Sequence, residues 1–332
     1  MPRRRAKVRR LGEKYIVYYT FHMSIPSFPE FTPISIDLKS EMHPKLSLTP
    51  DGVSEFTFAG LYLFRKRYQY RVSKVEDKTF ILSGIQPPHA AQQAAGEEAK
   101  KFFMTPCASP GKGILEELFK THDYWKNISE SVLIHKRARL EEWGAEFSED
   151  RDNFDYLYLR TDLAELPGKK YHKKRNLVAQ FLKSYTHEEK PITPELIPDA
   201  MKVLEGWRSD KGEDGDYLAC REALELFGEL NMKGLLVYID GKPAGWCLGE
   251  PIARGRIFTI HFEKGIEDYK GIYQFINQAF AASLPEYFTH INREQDLGEE
   301  GLRQAKMTYR PSGFVRKYTG RPGPNIKSGI TQ

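Results

Sequence analysis

Two polar segments in the last third of the chain have the residue types and the spacing of an anion-binding site. The first runs from His261 to Tyr273, and the second runs from Ile291 to Lys306. Each pattern predicts a strand, then a polar turn that contains glycine, then a helix. Such a turn points backbone N–H groups and the positive end of a helix at an anion. Two of these crossovers side by side predict one cleft for a negatively charged acyl donor.

The first segment supplies a carboxylate at the predicted end of its strand. Transfer of an acyl group to an amine or hydroxyl requires the nucleophile to lose a proton, and Glu263 can accept it directly or through water. Lys264 and the amides of the turn can offset the charge of the donor. The remaining candidates here for binding the donor are Gly265, Tyr269, Lys270 and Gly271. The alternative is a surface Glu–Lys pair worth under ~1 kcal/mol.

The second segment places four polar residues directly after an apolar strand: Asn292, Arg293, Glu294 and Asp296. An arginine can bind a carboxylate or phosphate with two parallel hydrogen bonds. Either acidic residue can hold the amino group of a donor. Lys306, on the predicted helix that follows, is a further candidate for donor binding. An internal ion-pair network that fixes the crossover is the competing interpretation.

A basic run begins the second half of the chain. Five positive side chains lie within the seven residues 169–175. The candidate phosphate-binding residues are Lys169, Lys170, Lys173, Lys174, Arg175 and Asn176. The phosphate backbone of a nucleic acid, or a pyrophosphate group, binds charge of this kind. A solvated helix face is the alternative for the same run.

Composition indicates an ordinary soluble protein of two domains. The 332 residues are 40% hydrophobic and 29% charged, and this length exceeds that of a typical single core. The net charge of +5 is concentrated at one end, because residues 1–22 carry +6 and the rest carries −1. No apolar run approaches the ~20 residues of a membrane span, so we expect a cytoplasmic protein. The three cysteines and nine histidines have no metal-ligand spacing, so we expect no metal.

The organisation that follows from these patterns has four parts. Residues 1–27 are predicted to be a basic, disordered tail, and residues 28–165 a first domain. Residues 166–322 form a second domain, and residues 323–332 a flexible end. The order of predicted strands and helices in the second domain recurs more loosely in the first, which indicates a duplicated α/β unit.

Several motifs together resemble one family, the phosphatidylglycerol lysyltransferase C-terminal domain. The resemblance covers about residues 28–320. The stretches that carry it are residues 54–58 with 61–62, 166–176, 262–264 with 269–271, 291–294 with 296–298, and 301–306. It implies an α/β fold of two tandem GNAT domains, as in the Fem-type aminoacyltransferases.

The resemblance also implies an activity. An aminoacyl group would pass from aminoacyl-tRNA to a lipid headgroup or another hydroxyl or amine, directly and without a covalent enzyme intermediate. Transferases of this fold often use a tyrosine as proton donor, which makes Tyr309 a candidate; a buried tyrosine with a structural hydrogen bond is the alternative. No tightly bound cofactor is expected; the partners are tRNA and, peripherally, anionic lipid. The other hypotheses are an N-acyltransferase that uses acyl-coenzyme A and a non-catalytic GNAT-like binding protein.

Overall fold

The structure, a computed structural model, describes most of the chain. The described residues are 4–11, 14–21, 24–76, 79–88, 96–106, 108–211 and 215–324, with the backbone alone for 4–21 and 210–211. Cys107 and most of the predicted flexible end, residues 325–332, lie outside them. Cys220 and Cys247 are buried free thiols.

The first of two seven-stranded sheets has the strand order β3-β4-β5-β6-β7-β16-β8. Its strands are β3 (Thr32–Pro33), β4 (Arg71–Val75), β5 (Thr79–Gln86), β6 (Lys100–Met104), β7 (Tyr124–Ser129), β8 (Ala145–Glu149) and β16 (Lys317–Pro322). The helices that flank it are α1 (Lys39–Leu46), α2 (Phe58–Leu63), α3 (Lys112–Thr121) and α4 (Glu130–Glu142). We call this sheet and its helices the first unit.

The second sheet has the order β10-β11-β12-β13-β14-β9-β15. Its strands are β9 (Asp155–Leu159), β10 (His187–Pro191), β11 (Lys233–Ile239), β12 (Lys242–Ile252), β13 (Ile257–Gly265), β14 (His290–Asn292) and β15 (Gly313–Val315). The helices are α5 (Arg160–Glu165), α6 (His172–Ser184), α7 (Ile197–Lys211), α8 (Tyr217–Glu225), α9 (Ile272–Ser283) and α10 (Glu300–Met307). We call these elements the second unit.

The two units repeat one order of elements, which confirms the predicted α/β class with two GNAT-like units. In each, an antiparallel run of strands ends on a strand that pairs in parallel with the next one: β6 with β7, and β13 with β14. A helix joins each parallel pair, α3 in the first unit and α9 in the second. The pairing of β13 with β14 stops at Thr259 and Asn292. The last six residues of β13 therefore diverge from β14 and leave a gap.

The two sheets exchange strands across the predicted boundary near residue 165. Strand β9 precedes that boundary but lies between β14 and β15 in the second sheet. Strand β16, close to the end of the described chain, lies between β7 and β8 in the first. A division at residue 165 therefore does not follow the sheets, because each sheet is completed by a strand from the other half. The division into two domains remains a prediction at the level of the units.

Where a disordered tail is expected, the structure has a hairpin. Strands β1 (Arg4–Leu11) and β2 (Lys14–Phe21) pair antiparallel with each other. Its second strand, KYIVYYTF, is rich in β-branched and aromatic residues, which favour strands. Among the described residues, neither strand joins the larger sheets.

Local sequence explains the elements that form the second sheet. Asp240 and Gly241 have φ of 48° and 74° and join β11 to β12, as the Asp-Gly pattern of a tight hairpin requires.

Buried side chains join the units into a common core that includes Phe58, Phe102, Trp246 and Phe262. The two units are therefore packed against each other through buried side chains.

Candidate active site

A cavity of about 740 Å³ lies between the two units. The first unit contributes Tyr68, Tyr70 and Lys126 to its wall, and the second contributes Trp207 and Phe262. The diverging part of β13 and the segment after β14 meet in this cavity. The predicted site residues that line it are Glu263, Lys264, Arg293, Glu294 and Lys306. The sequence thus located the cavity from residues that are about 30 to 40 positions apart.

Glu263 and Arg293 form an ion pair across the gap. The Arg293 Nη2 donates to Glu263 Oε2 at 3.0 Å, and both side chains are largely buried. Burial alone would lower the pKa of Arg293, but the neighbouring Glu263 carboxylate raises it above its ordinary value. Arg293 therefore stays charged and holds Glu263 at the wall of the cavity.

His261 lies between two carboxylates, one from Glu250 of β12 and one from Glu294 after β14. Its Nδ1 is 2.7 Å from Glu294 Oε1, and its Nε2 is 3.1 Å from Glu250 Oε1. Burial alone would lower the pKa of His261, but these two hydrogen bonds raise it to about 10. At neutral pH the imidazole is therefore a cation. Glu294 forms a hydrogen bond with it. That Glu294 binds the amino group of a donor stays a prediction.

Lys264 is engaged by an acidic residue from a distant loop. Its Nζ donates to both carboxylate oxygens of Asp216, at 2.8 and 2.9 Å, and lies 3.9 Å from the centre of the Trp207 ring. The aromatic face and the carboxylate together stabilise the buried ammonium. Lys264 therefore contacts the cavity as half of a neutral pair, and it does not lie at the N-terminus of α9.

Lys306 is a half-buried cation without a carboxylate partner among the described residues. Its Nζ donates to the backbone carbonyls of Arg293, at 2.8 Å, and Gln295. Burial lowers the pKa of Lys306 to about 8. The lysine shapes the turn after β14, and one of its three N–H groups has no acceptor in the described part of the chain.

Tyr309 is buried behind Arg293 rather than on the cavity wall. Its ring lies 5.2 Å from the Arg293 guanidinium and 4.0 Å from the Lys174 ammonium. Burial raises the pKa of Tyr309 to about 12. This placement favours the structural alternative for Tyr309 over a proton donor.

Asp296 and Asn292 hold the crossover together. Asp296 is fully buried and accepts hydrogen bonds from Arg151, Tyr156, Arg303 and the amide of Gly298, at 2.6 to 3.1 Å. Burial would raise the pKa of Asp296, but these donors hold it well below its usual range. The side chain has no capacity left for a donor amino group, so the geometry favours the internal network.

Asn292 joins the two units. Its Nδ2 donates to the Gly52 carbonyl at 2.9 Å and to Asp155 Oδ2 at 3.1 Å, and its Oδ1 accepts the Glu294 amide at 2.7 Å. Asn292 is fully buried. Its side chain fixes the turn that carries Arg293 and Glu294.

Helix α6 covers the predicted anion turn at the start of α9. A Cβ on Gly271, which has φ +91°, would lie 2.7 Å from the Leu177 carbonyl oxygen. The Lys270 amide donates to the Tyr185 hydroxyl at 3.2 Å, and Tyr269 packs edge-on against the same ring. Gly265 accepts a hydrogen bond from Tyr273 at 3.1 Å. The turn is therefore closed by the protein itself, and these four candidates do not face the cavity.

The residues of the basic run have two kinds of environment: some are held by contacts within the protein, and others are exposed. Arg175 donates to the carbonyls of Leu166 and Gly168, and Lys170 bonds Asp162 at 2.8 Å. Lys174 lies against Tyr309, where burial and Arg293 lower its pKa. The remaining three candidates are exposed: Lys169, Lys173 and Asn176. Phosphate binding by the run remains a prediction for the exposed residues.

Four residues of the site were not among the candidates predicted from the sequence. His261 and Trp207 lacked a motif, Asp216 lay in an acidic loop, and Lys126 lay in a strand of the other unit. Lys126 also carried no distinctive signal, because its strand, YWKNIS, contains other polar residues. The other three act through contacts with residues far away in sequence.

Comparison with known proteins places this architecture. The family model for phosphatidylglycerol lysyltransferase, C-terminal, matches residues 47–320. The chain belongs to this family. The family takes its name from a lysyltransferase, an enzyme of the aminoacyl-transferring class. None of the helices in the described residues combines the length and the apolar composition needed to cross a bilayer.

The relatives of this family member agree in fold. A conserved protein of unknown function from Bacteroides thetaiotaomicron is 28% identical with a TM-score of 0.74, covering 88% of this chain and 99% of that one. L-PGS from Bacillus licheniformis is 15% identical with a TM-score of 0.54, covering 93% and 98%. FemX is 8% identical with a TM-score of 0.54, covering 91% and 99%. At the identities of L-PGS and FemX, the likeness is one of fold alone.

An uncharacterized protein of Mycoplasmoides gallisepticum is 26% identical over 174 residues. The match covers 49% of this chain and 54% of that protein. The chain thus spans about half the length of that curated relative.

Proposed function

We propose that the protein transfers an aminoacyl group from aminoacyl-tRNA to a hydroxyl or amine acceptor, and that the reaction takes place in the cavity between the units. One observation carries this proposal: Glu263, held by Arg293 at 3.0 Å, and the half-buried Lys306 line the same cavity. A carboxylate that can accept a proton and a cation that can stabilise an oxyanion are the two groups that such a transfer needs.

The reaction assigns a role to each of these side chains. The acceptor oxygen or nitrogen bonds to the ester carbonyl carbon of the donor as its proton passes to Glu263. The carbonyl oxygen then carries negative charge, which the Lys306 ammonium stabilises. When the intermediate collapses, the ester C–O bond breaks and the ribose oxygen leaves as a hydroxyl. Because Tyr309 lies behind Arg293, we assign the returned proton to Glu263.

The closed turn at Gly271 favours tRNA over acyl-coenzyme A as donor carrier. A pyrophosphate bound there would need the space that the Leu177 carbonyl and the Tyr185 hydroxyl occupy. The exposed Lys169 and Lys173 suit a longer polyanion whose phosphates contact the surface outside the cavity. Lipid headgroups are the acceptor class that the family name suggests, and they fit a cavity open at its rim.

A transfer assay tests the proposal. Total tRNA charged with a mixture of radiolabelled amino acids is incubated with the full chain and vesicles that contain phosphatidylglycerol. Label that enters the lipid phase measures transfer to lipid, and label in an added amine acceptor measures transfer to an amine. Glu263→Gln should lower the rate roughly 100- to 10,000-fold.

The control is Glu286→Gln, which removes an exposed carboxylate remote from the cavity. It should transfer at the wild-type rate. Wild-type transfer from acetyl-coenzyme A but from no charged tRNA would contradict the proposed donor. A Glu263→Gln protein as active as the wild type would remove Glu263 from the mechanism.

A further inference from the structure

A buried cation of the first unit has no carboxylate partner in the described part of the chain. Lys126 lies on β7, is 9% exposed, and lines both the large cavity and a neighbouring cavity of about 450 Å³. Its ammonium donates one described hydrogen bond, to the side-chain amide oxygen of Gln86 at 2.6 Å. Because a buried charge is normally paired, an unpaired ammonium on a cavity wall points to an anionic ligand.

Aromatic rings surround Lys126 and stabilise its charge without neutralising it. The Nζ lies 5.5 Å from the centre of the Tyr68 ring and 5.1 Å from that of Phe102. Such contacts contribute modestly, and an aromatic ring supplies no net negative charge. Two of the three N–H groups have no acceptor among the residues that the structure describes.

Two exposed arginines line the smaller cavity with Lys126. Arg67 lies 5.8 Å from the Tyr68 ring centre, and Arg321 lies 5.6 Å from that of Tyr124. Neither forms an ion pair with a described residue. One buried and two exposed cations therefore line this cavity, and the buried Lys126 is the one whose charge solvent does not screen.

The carboxylates of the same wall are nearly all engaged elsewhere. Their partners lie outside the cation cluster: Glu97 pairs with Lys100 at 3.5 Å, Glu149 with Arg316 at 3.5 Å and Asp152 with Arg303 at 2.6 Å, while Asp150 accepts from Asn153 at 2.9 Å. Within the described residues, two acids of this wall have no ion pair: the half-buried Asp150 and the exposed Glu98. The three cations Lys126, Arg67 and Arg321 outnumber these two acids, so the charge that is left for a ligand is positive.

We propose that Lys126, with Arg67 beside it, is an oxyanion subsite between the two cavities that binds a phosphodiester or carboxylate group. Charge-assisted hydrogen bonds from an ammonium and a guanidinium suit either group. The rings of Tyr68 and Phe102 provide an apolar border for the carbon atoms attached to it. The subsite is a statement about binding, and it stands or falls independently of aminoacyl transfer.

Binding of two small probes to the full chain tests the subsite. Isothermal titration calorimetry compares dimethyl phosphate, a phosphodiester, with propionate, a carboxylate, at ionic strength matched with sodium chloride. We expect saturable binding of at least one probe, and the probe that binds identifies the source of the oxyanion. In Lys126→Met the Kd of that probe should rise roughly tenfold to a hundredfold, as for loss of a charged hydrogen bond.

A matched control comes from the same cavity. Lys100→Met removes an exposed lysine that is paired with Glu97, so the Kd should stay at the wild-type value. Lys126→Arg keeps the charge and should retain most of the affinity. Unchanged affinity in Lys126→Met, or no saturable binding of either probe to the wild type, would overturn the subsite.

If the Lys126→Met protein fails to fold, a second measurement on the wild type still tests the subsite. Acetic anhydride labels lysine amines, and mass spectrometry measures the rate at each residue. The bound probe should slow the labelling of Lys126 and leave that of Lys100 unchanged. Equal labelling of Lys126 with and without the probe would also contradict the proposal.

Discussion

The two units have the same order of strands and helices, but the gaps between their parallel strands differ in content. In the second unit, charged pairs bridge the gap: His261 with Glu294, and Glu263 with Arg293. In the first unit, the residues after the paired part of β7 are Lys126, which has no ion pair among the described residues, and Asn127, which bonds the sulfur of Met104 at 3.5 Å. The same backbone frame therefore carries paired charges in one copy and an unpaired charge in the other.

This difference suits the two gaps to different roles, although the two units share one order of elements. Paired charges fix the side chains of the second gap in one arrangement, which suits a reaction that needs a positioned carboxylate. An unpaired cation suits a ligand that supplies the missing charge. The cavity combines both, because the exchanged strands β9 and β16 bring the two gaps to one interface.

The largest effect should come from breaking the contact where the strands cross between the units. Lys317 of β16 is fully buried and pairs with Glu55 and with Asp155, the latter at 2.7 Å. Lys317→Met leaves the fully buried Asp155 and the half-buried Glu55 without their cation. The loss should lower the free energy of unfolding by about 3–5 kcal/mol. Urea unfolding followed by circular dichroism measures this.

The neighbouring residue offers a control. Arg316 forms exposed ion pairs with Glu149 at 3.5 Å and with Glu130 at 3.7 Å, so Arg316→Met should change stability little. Because both sheets contain an exchanged strand, we also expect a single unfolding transition in the wild type. Separate transitions for the two units, with Lys317→Met affecting just one, would mean that the exchange does not couple them.

The sequence predicted the order of elements better than their partners. Most strands and helices of the second unit follow from hydrophobic periodicity and from the turn at Asp240 and Gly241. The exchange of β9 and β16 was not predictable, since no local pattern states which sheet a strand enters.

The candidate site shows the same limit at the level of single residues. Glu263, Arg293 and Lys306 were predicted from spacing, and they do line one cavity. Asp296 was predicted by the same reasoning, but its oxygens bond Arg151, which lies 145 residues away, and three other donors. Spacing identifies polar residues near a turn, whereas the distant partner decides which of them face a ligand.

The charge on His261 should make the second gap sensitive to alkaline pH. Its pKa is raised from 6.5 to about 10 in the folded state. Stabilisation by a raised pKa is complete below the unfolded value and is lost as pH rises through the folded value. Between these pH values, stability from this group should fall by up to about 1.4 kcal/mol per pH unit.

The variant His261→Gln does not titrate in this range and isolates the effect. The difference in unfolding free energy between the wild type and His261→Gln should shrink as pH rises from 7 towards 10. The same urea experiment at several pH values measures it. A difference that is constant with pH would show that the imidazole is neutral, and Glu294 would then be available to a donor amino group.

The smallest effect concerns the two turns that begin α3 and α9. Gly271 has φ +91° and meets the Leu177 carbonyl, whereas a Cβ on Gly113 would meet no atom within 4 Å. Gly271→Ala should therefore destabilise by at least about 1–2 kcal/mol through its backbone conformation, while Gly113→Ala should stabilise by roughly 0.5–1 kcal/mol as a helical residue. Urea midpoints of the two variants give the comparison. If Gly271→Ala were as stable as the wild type, α6 would be able to move away from the turn, and a pyrophosphate could then bind there as an acyl-coenzyme A donor requires.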